Sequence, residues 1–227
     1  MYWTEQTTSE TYRITDDVVD VVFAISCRCL PVDHAQALRE GLQRALPWLA
    51  AEEGAGIHPL HGAESGNGWM RPDNPDDLLY LSRRTKLVLR LPKQRVADAG
   101  VLSGREIEIM GNRLAVGASS IRPLSPITTI FSRYVVMGGP GDEQVFVADI
   151  VRQLGEMGIR PKKMLCGMEK AIATPQGGLR ARSLMLADLS VDESVRLQQR
   201  GLGPERQLGC GLFIPHKDVD EVRGTER

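Results

Sequence analysis

The order of extended and helical segments runs through this chain twice, and that repetition constrains the fold more than any other feature. β-Branched and apolar residues dominate 18–29, which predicts a strand. Leu30-Pro31 ends it, and Asp33 is placed to cap a helix. Leu38, Leu42, Ala45, Leu46 and Leu49 then recur on one helical face. After Gly54 and Gly56 come an extended piece at 57–60 and a loop rich in Gly, Asn and Pro at 62–77. Residues 78–91 predict a strong strand and 94–99 a short helix. Ile107, Ile109, Leu114 and Val116 form two strand arms around a Gly111-Asn112 turn. The order then restarts. A strand is predicted at 128–137, and an amphipathic helix at 142–157 with Val147, Ile150, Val151, Leu154 and Met157 on one stripe. Gly158 stops that helix. Strands at 164–173 and 179–189 flank a Pro175-Gln176-Gly177-Gly178 turn. A last helix starts at Ser190 and ends at Gly201, and Leu212-Phe213-Ile214 is a closing strand. Each pass reads β-α-β-β-α-β, the ferredoxin-like order. The expectation is an α+β protein of two tandem ferredoxin-like halves, 18–124 and 127–220, joined near 123–126, behind a polar leader at 1–17. A length of 227 residues is enough for two separate cores.

Charge is distributed unevenly along these halves. Residues 1–77 carry 13 acidic and 5 basic side chains, a balance of −8. Residues 78–137 carry 10 basic and 3 acidic, and 160–217 carry 10 basic and 5 acidic. The net charge of −1 therefore conceals basic segments that could form a positive face of the kind a phosphate backbone recognises, the alternative being a solvated surface with scattered arginines. No apolar run reaches the roughly 18 residues of a membrane helix. The N-terminus lacks the basic start and apolar stretch of a signal peptide, so a cytoplasmic protein is expected. Cys27, Cys29, Cys166 and Cys210 do not have zinc-ligand spacing. Buried free thiols, with no metal and no cofactor, are the expectation.

Two groups of residues offer chemistry. The stretch 199–213 places Gly201, Gly203, Gly209 and Gly211 around Arg200 and Arg206, immediately before the closing strand. Glycine lets backbone N–H groups approach a phosphate, and arginine grips one bidentately. The alternative is a flexible helix-to-strand connection. Neither a Walker loop nor a dinucleotide fingerprint fits, because no Gly-Lys-Ser/Thr is present and the segment leads into a strand. The second group is the four histidines, His34, His58, His61 and His216, the default proton-transfer residues near neutral pH. His34 starts the first helix, where a lone histidine is often incidental.

Several stretches agree in order and spacing with a known family. They are 30–38 with Leu30, Pro31, Asp33 and His34; 46–49 with Leu46-Pro47-Trp48-Leu49; and 56–62 with Gly56-Ile57-His58-Pro59-Leu60 and Gly62. Further on come Leu81-Ser82-Arg83, Leu87 to Pro92, Leu197-Gln198, Arg200 to Gly203, and Gly209 to Phe213. Together, over about 18–217, these resemble CRISPR repeat-processing endoribonucleases of the MYXAN subtype in the RAMP superfamily. The resemblance implies the tandem ferredoxin-like RAMP architecture, a glycine-rich C-terminal loop and metal-independent cleavage of a CRISPR repeat hairpin. Cleavage would proceed by attack of the ribose 2′-OH, giving a 2′,3′-cyclic phosphate and a 5′-OH. The position of the family's working histidine is matched by His34, with His58 as the second catalytic candidate. Arg83, Arg84, Arg180, Arg182, Arg200 and Arg206, with the four glycines of 201–211, are the RNA-binding candidates. The partners implied are precursor and mature guide RNA, and other subunits of a CRISPR effector complex, with no membrane. Two rival readings are a noncatalytic RAMP subunit that holds guide RNA, and a small-molecule enzyme with tandem ferredoxin-like halves.

Overall fold

The computed structural model describes residues 16–62, 72, 74, 77–139 and 142–216. Residues 1–15 of the expected leader and most of the 62–77 loop lie outside the described residues. So does the stretch of the second half after 216.

Alternation organises the first sheet. In β1 (Val18–Ser26), Val21 and Phe23 enter the core, while Asp20 points to the opposite face. After β2 (Cys29–Pro31), helix α1 (Ala35–Ala45) buries Leu38 and Leu42 over that core. Leu46 and Leu49 extend the same apolar stripe. Each fully buried leucine contributes about 2 kcal/mol. The N-cap is His34 and its side chain makes no capping bond. The expected cap, Asp33, instead accepts from Ala173 N–H of the second half at 3.2 Å.

The strand expected over 78–91 is two strands. β4 (Leu78–Tyr80) pairs with β2 in a separate ribbon, and β5 (Lys86–Pro92) joins the main sheet. A turn at Arg83–Arg84 breaks them, where two polar residues interrupt the apolar alternation. The first sheet has the order β3-β5-β1-β7-β6, with β3 (Gly56–Ile57), β6 (Glu106–Ile109) and β7 (Asn112–Arg122), all pairs antiparallel. Between β5 and β6, the short helix α2 (Val96–Ala99) buries Ala99.

The second sheet has the order β11-β8-β10-β9, again antiparallel. Its strands are β8 (Ile130–Val136), β9 (Lys163–Thr174), β10 (Gly177–Ala187) and β11 (Ile214–Pro215). Helix α3 (Glu143–Glu156) buries Phe146, Ile150 and Leu154, whereas Val151 of the expected stripe is exposed. The helix is rotated so that Phe146, with the larger apolar surface, takes the core position. Helix α4 (Val191–Arg200) starts with a complete capping box between Ser190 and Glu193. The closing strand begins at Ile214, later than expected, because Leu212 packs on Gly56 and Phe213 enters the second core, and neither is laddered.

The halves are bound by polar and apolar contacts. Gly56 packs so closely on Leu212 that an added Cβ would lie 2.5 Å from its Cδ2. Gln207 donates to Leu49 O at 2.7 Å, and Arg39 pairs with Glu205 at 3.1 Å. A third apolar cluster, including Tyr134, Ile172, Leu208 and Cys210, packs against Ala35 at the start of α1. Among the described residues no helix is long and apolar enough to cross a membrane.

Candidate nucleic-acid interface and histidine sites

Sheet register builds a charged cluster on the face opposite the first core. Asp20 of β1 lies directly across from Arg90 of β5 on one side and Arg122 of β7 on the other. Period-two alternation sends all three side chains to the same face. Asp20 accepts from Arg90 Nε at 2.8 Å, from Arg90 Nη2 at 3.2 Å and from Arg122 Nη2 at 3.0 Å. Arg90 is 1% exposed, and its Nη1 donates to Gln198 O and Phe213 O at 3.1 and 2.6 Å. One guanidinium thus connects the first sheet to the last helix and the closing segment of the second half.

His58 completes the cluster. Its backbone N–H donates to Val88 O at 2.9 Å, extending the β3–β5 ladder by one residue. Its Nε2 lies 3.6 Å from Asp20 Oδ1, buried and without a hydrogen-bond partner. Burial pushes the His58 imidazole below its ordinary pKa, and the neighbouring Asp20 carboxylate only partly opposes this. Burial also disfavours ionised Asp20, but His58 and Arg90 overcome it and hold the carboxyl well below the usual range.

These residues line a cavity of 580 Å³ to which both sheets contribute. Arg84, Lys86 and Arg122 come from the first half and Arg133 from β8, so the lining is strongly basic. His61 also lines it, with Nδ1 3.0 Å from Gly62 O. His216 lies elsewhere, its ring edge-on to Phe131 at 6.2 Å.

His34 occupies a different place. It is 4% exposed and lines a pocket of only 20 Å³ with Pro59, Tyr134 and Leu208 among its neighbours. Its Nδ1 lies 2.7 Å from Pro31 O. A carbonyl only accepts, so Nδ1 carries the proton and Nε2 is the basic nitrogen of the neutral ring. Pro59 lines both spaces, so the structure brings His34 and His58 to the same Pro59 segment but into separate pockets.

The arginine candidates are dispersed. Arg83 and Arg84 are exposed on the β4–β5 turn, and Arg200 is exposed at the end of α4. Arg180 forks Glu169 at 2.5 and 2.8 Å. Arg182 reaches Glu143 at 3.2 Å and Gly167 O at 3.1 Å. Arg206 donates to the carbonyls of Arg200, Gln199 and Gly54, and burial lowers its pKa to about 10. It acts here as a clamp on the loop.

The glycine-rich segment is compact. Gly201, Gly203, Gly209 and Gly211 all have positive φ. The N–H groups of Gly201, Leu202, Leu208, Gly209, Cys210 and Gly211 all donate to backbone carbonyls. The glycines mainly permit close packing. A Cβ on Gly209 would lie 2.5 Å from Pro59 Cγ, and one on Gly211 2.2 Å from Leu202 O. The loop thereby braces the His58-Pro59 segment. The four cysteines are free thiols, and burial pushes Cys210 up to about 12. Among the described residues no group of three or more His, Cys, Asp or Glu is arranged to hold a metal ion.

Sequence reasoning missed Asp20, Lys86, Arg90, Arg122 and Arg133 as members of one site. A signal for two of them exists. Asp20 interrupts Val18-Val19-Asp20-Val21-Val22, and Arg90 interrupts Leu87-Val88-Leu89-Arg90-Leu91. Opposite charges alone in two apolar strands suggest a buried pair.

The architecture is a mixed α+β fold of antiparallel sheets with a basic cavity lined by both, and solved structures share it. "Characterization of a Cas6-related gene from Pyrococcus furiosus" matches with TM-score 0.61 at 12% identity, over 88% of this chain and 99% of that one. "An RAMP protein binding different RNA substrates" matches with TM-score 0.57 at 15% identity, over 88% of this chain and 100% of that one. Sequence narrows the class further. Residues 19–218 match the family model described as Cas6 Crispr. The "CRISPR-associated endonuclease Cas6" of Myxococcus xanthus (strain DK1622) is 34% identical over 197 residues, 87% of this chain and 81% of that protein. This chain belongs to the Cas6 family.

Proposed function

We propose that the chain is a metal-independent endoribonuclease that binds CRISPR repeat RNA and cuts it to mature guide RNA. The observation that carries the proposal is a Cas6-family chain in which His34, at the start of α1, has its tautomer set by Pro31 O. With Nδ1 protonated, Nε2 is the nitrogen able to take the 2′-OH proton. The O2′–P bond then forms, the P–O5′ bond breaks, O5′ takes a proton from water, and the His34 imidazolium returns its proton to the solvent. The products are a 2′,3′-cyclic phosphate and a 5′-OH. Cationic side chains stabilise the phosphorane charge. His58 is the second proton-transfer candidate. Burial favours its neutral form, which suits a base better than an acid.

The proposed architecture is two ferredoxin-like halves, 18–124 and 127–220. Its support is strand order. β11-β8-β10-β9 is the fourth-first-third-second arrangement of that unit. β3-β5-β1-β7 is its mirror reading, with β6 appended as a hairpin arm. An A-form repeat hairpin offers phosphates and 2′-hydroxyls. Arg83, Arg84 and Arg200 are exposed to meet it, whereas Arg180 and Arg182 would exchange their carboxylate partners for phosphate. Binding should fall steeply with salt.

The test is cleavage of a labelled repeat RNA in EDTA by wild type, His34→Ala and His58→Ala. Wild-type cleavage that His34→Ala abolishes while RNA binding persists supports the reading. Cleavage unaffected by His34→Ala and lost in His58→Ala moves the chemistry to the larger cavity. The near-complete burial of His34 favours a second reading, a noncatalytic RAMP subunit. Tight RNA binding by all three proteins without any cleavage would establish it.

A further inference from the structure

We propose that Arg122 is a phosphate-binding residue of the basic cavity, held ready by Asp20 as its positioning residue, so that an RNA phosphodiester docks beside His58. The inference rests on the reading of the chain as an RNA-binding protein and adds a residue that reading does not contain.

Arg90 is spent internally, two nitrogens on Asp20 and the third on two carbonyls. Arg206 is spent on loop carbonyls, and Arg180 and Arg182 on carboxylates. Arg84 and Lys86 are exposed long side chains that must be immobilised when a ligand arrives. Arg122 differs from all of these. Its Nη2 is held at 3.0 Å by an Asp20 side chain that is 4% exposed, yet its own side chain is 56% exposed and lines the cavity. A guanidinium held at one nitrogen is partly positioned before a ligand arrives, and its remaining N–H groups suit phosphate.

Charge balance points the same way. Asp20 is neutralised by its two-point pair with Arg90, so the charge of Arg122 is surplus in this cluster. Anions drawn to that surplus would arrive next to His58, whose Nε2 contacts the same Asp20 carboxylate. The cavity volume of 580 Å³ falls within the roughly 300–1,000 Å³ usual for ligand sites.

The experiment measures affinity of the full chain for a repeat RNA made uncleavable by 2′-deoxy substitution at the cut site, from 50 to 200 mM salt. Wild type is compared with Arg122→Gln, Arg122→Lys and Arg113→Gln. Arg113 lies on the same strand, 82% exposed and outside the cavity. Arg122→Gln is expected to weaken binding about tenfold at low salt and to reduce the salt slope by about one phosphate contact. Arg122→Lys should recover most of the slope but not the full affinity, because it keeps charge without the fork. Arg113→Gln should match wild type. Thermal unfolding of each variant checks that the fold persists. Wild-type affinity and slope in Arg122→Gln would overturn the role of Arg122 while leaving the nuclease reading intact. Wild type that binds this RNA but does not cut the unmodified 2′-hydroxyl repeat would overturn the nuclease reading, with Arg122 still decided by affinity. Wild type that does not bind RNA would overturn both.

Discussion

Replacing Arg90 with Met should destabilise the protein by about 4 kcal/mol. The figure follows from what the side chain holds. Arg90 makes four hydrogen bonds at 2.6–3.2 Å, two to Asp20 and two to carbonyls of the second half. Removing one partner of a buried ion pair costs about 3–5 kcal/mol. Each buried carbonyl left without a donor adds about 1 kcal/mol or more. Arg122 still faces Asp20 and offsets part of this, and Met fills much of the vacated volume. At roughly 2–4 °C per kcal/mol for a chain of this size, the melting temperature should fall by about 10 °C. Urea unfolding followed by both circular dichroism and tryptophan fluorescence gives the free energy and shows whether the halves separate. The double variant Asp20→Leu/Arg90→Met should be more stable than Arg90→Met alone, because a buried pair replaced on both sides leaves no orphaned charge. A loss below about 1 kcal/mol for Arg90→Met would refute the view that this guanidinium joins the halves.

Two further outcomes are expected. Gly209→Ala should cost more stability than Gly203→Ala, measured by the same urea unfolding. Both have positive φ, 84° and 74°, but only at Gly209 does the new Cβ meet Pro59, while nothing lies within 4 Å at Gly203. Backbone strain alone is about 1–2 kcal/mol, and overpacking adds about 1–3 kcal/mol at Gly209. Equal losses would remove the bracing role of that glycine. Stability should also fall as pH drops below about 6.5, the ordinary histidine value. There the unfolded chain protonates His58, while the buried imidazole, with its lowered pKa, resists the proton. This contribution is complete above about pH 6.5 and is lost as pH falls through the folded value. His58→Gln should remove the part of that fall that begins below about pH 6.5. It should leave a smaller loss below about pH 4 from protonating Asp20, whose folded pKa Arg90 still depresses.

Much of the secondary structure was legible because apolar periodicity is a local property. The α1 stripe of Leu38, Leu42, Leu46 and Leu49 and the alternation of Leu87, Leu89 and Leu91 each report their own buried face. Ser190 announced the start of α4, because the capping box is a contact within four residues. The break at Arg83–Arg84 was missed because β4 leaves the main sheet to pair with β2, a choice made by a distant strand. Arg206 and the glycines looked like phosphate ligands, since a sequence shows which groups can donate but not which partners they have found.

By itself the sequence determined the order of elements, the apolar faces and the uneven charge, all set by residues a few positions apart. It also contained every member of the charged cluster. Only the tertiary structure decided that they meet. Antiparallel register places Asp20 between Arg90, 70 residues away, and Arg122, 102 residues away. The second half then closes over them through Gln198 and Phe213. A one-residue slip would turn each side chain to the other face. Burial of Asp20, Arg90 and His58, with the exposed Arg122 at their edge, makes these groups interact as one, and no local pattern encodes that.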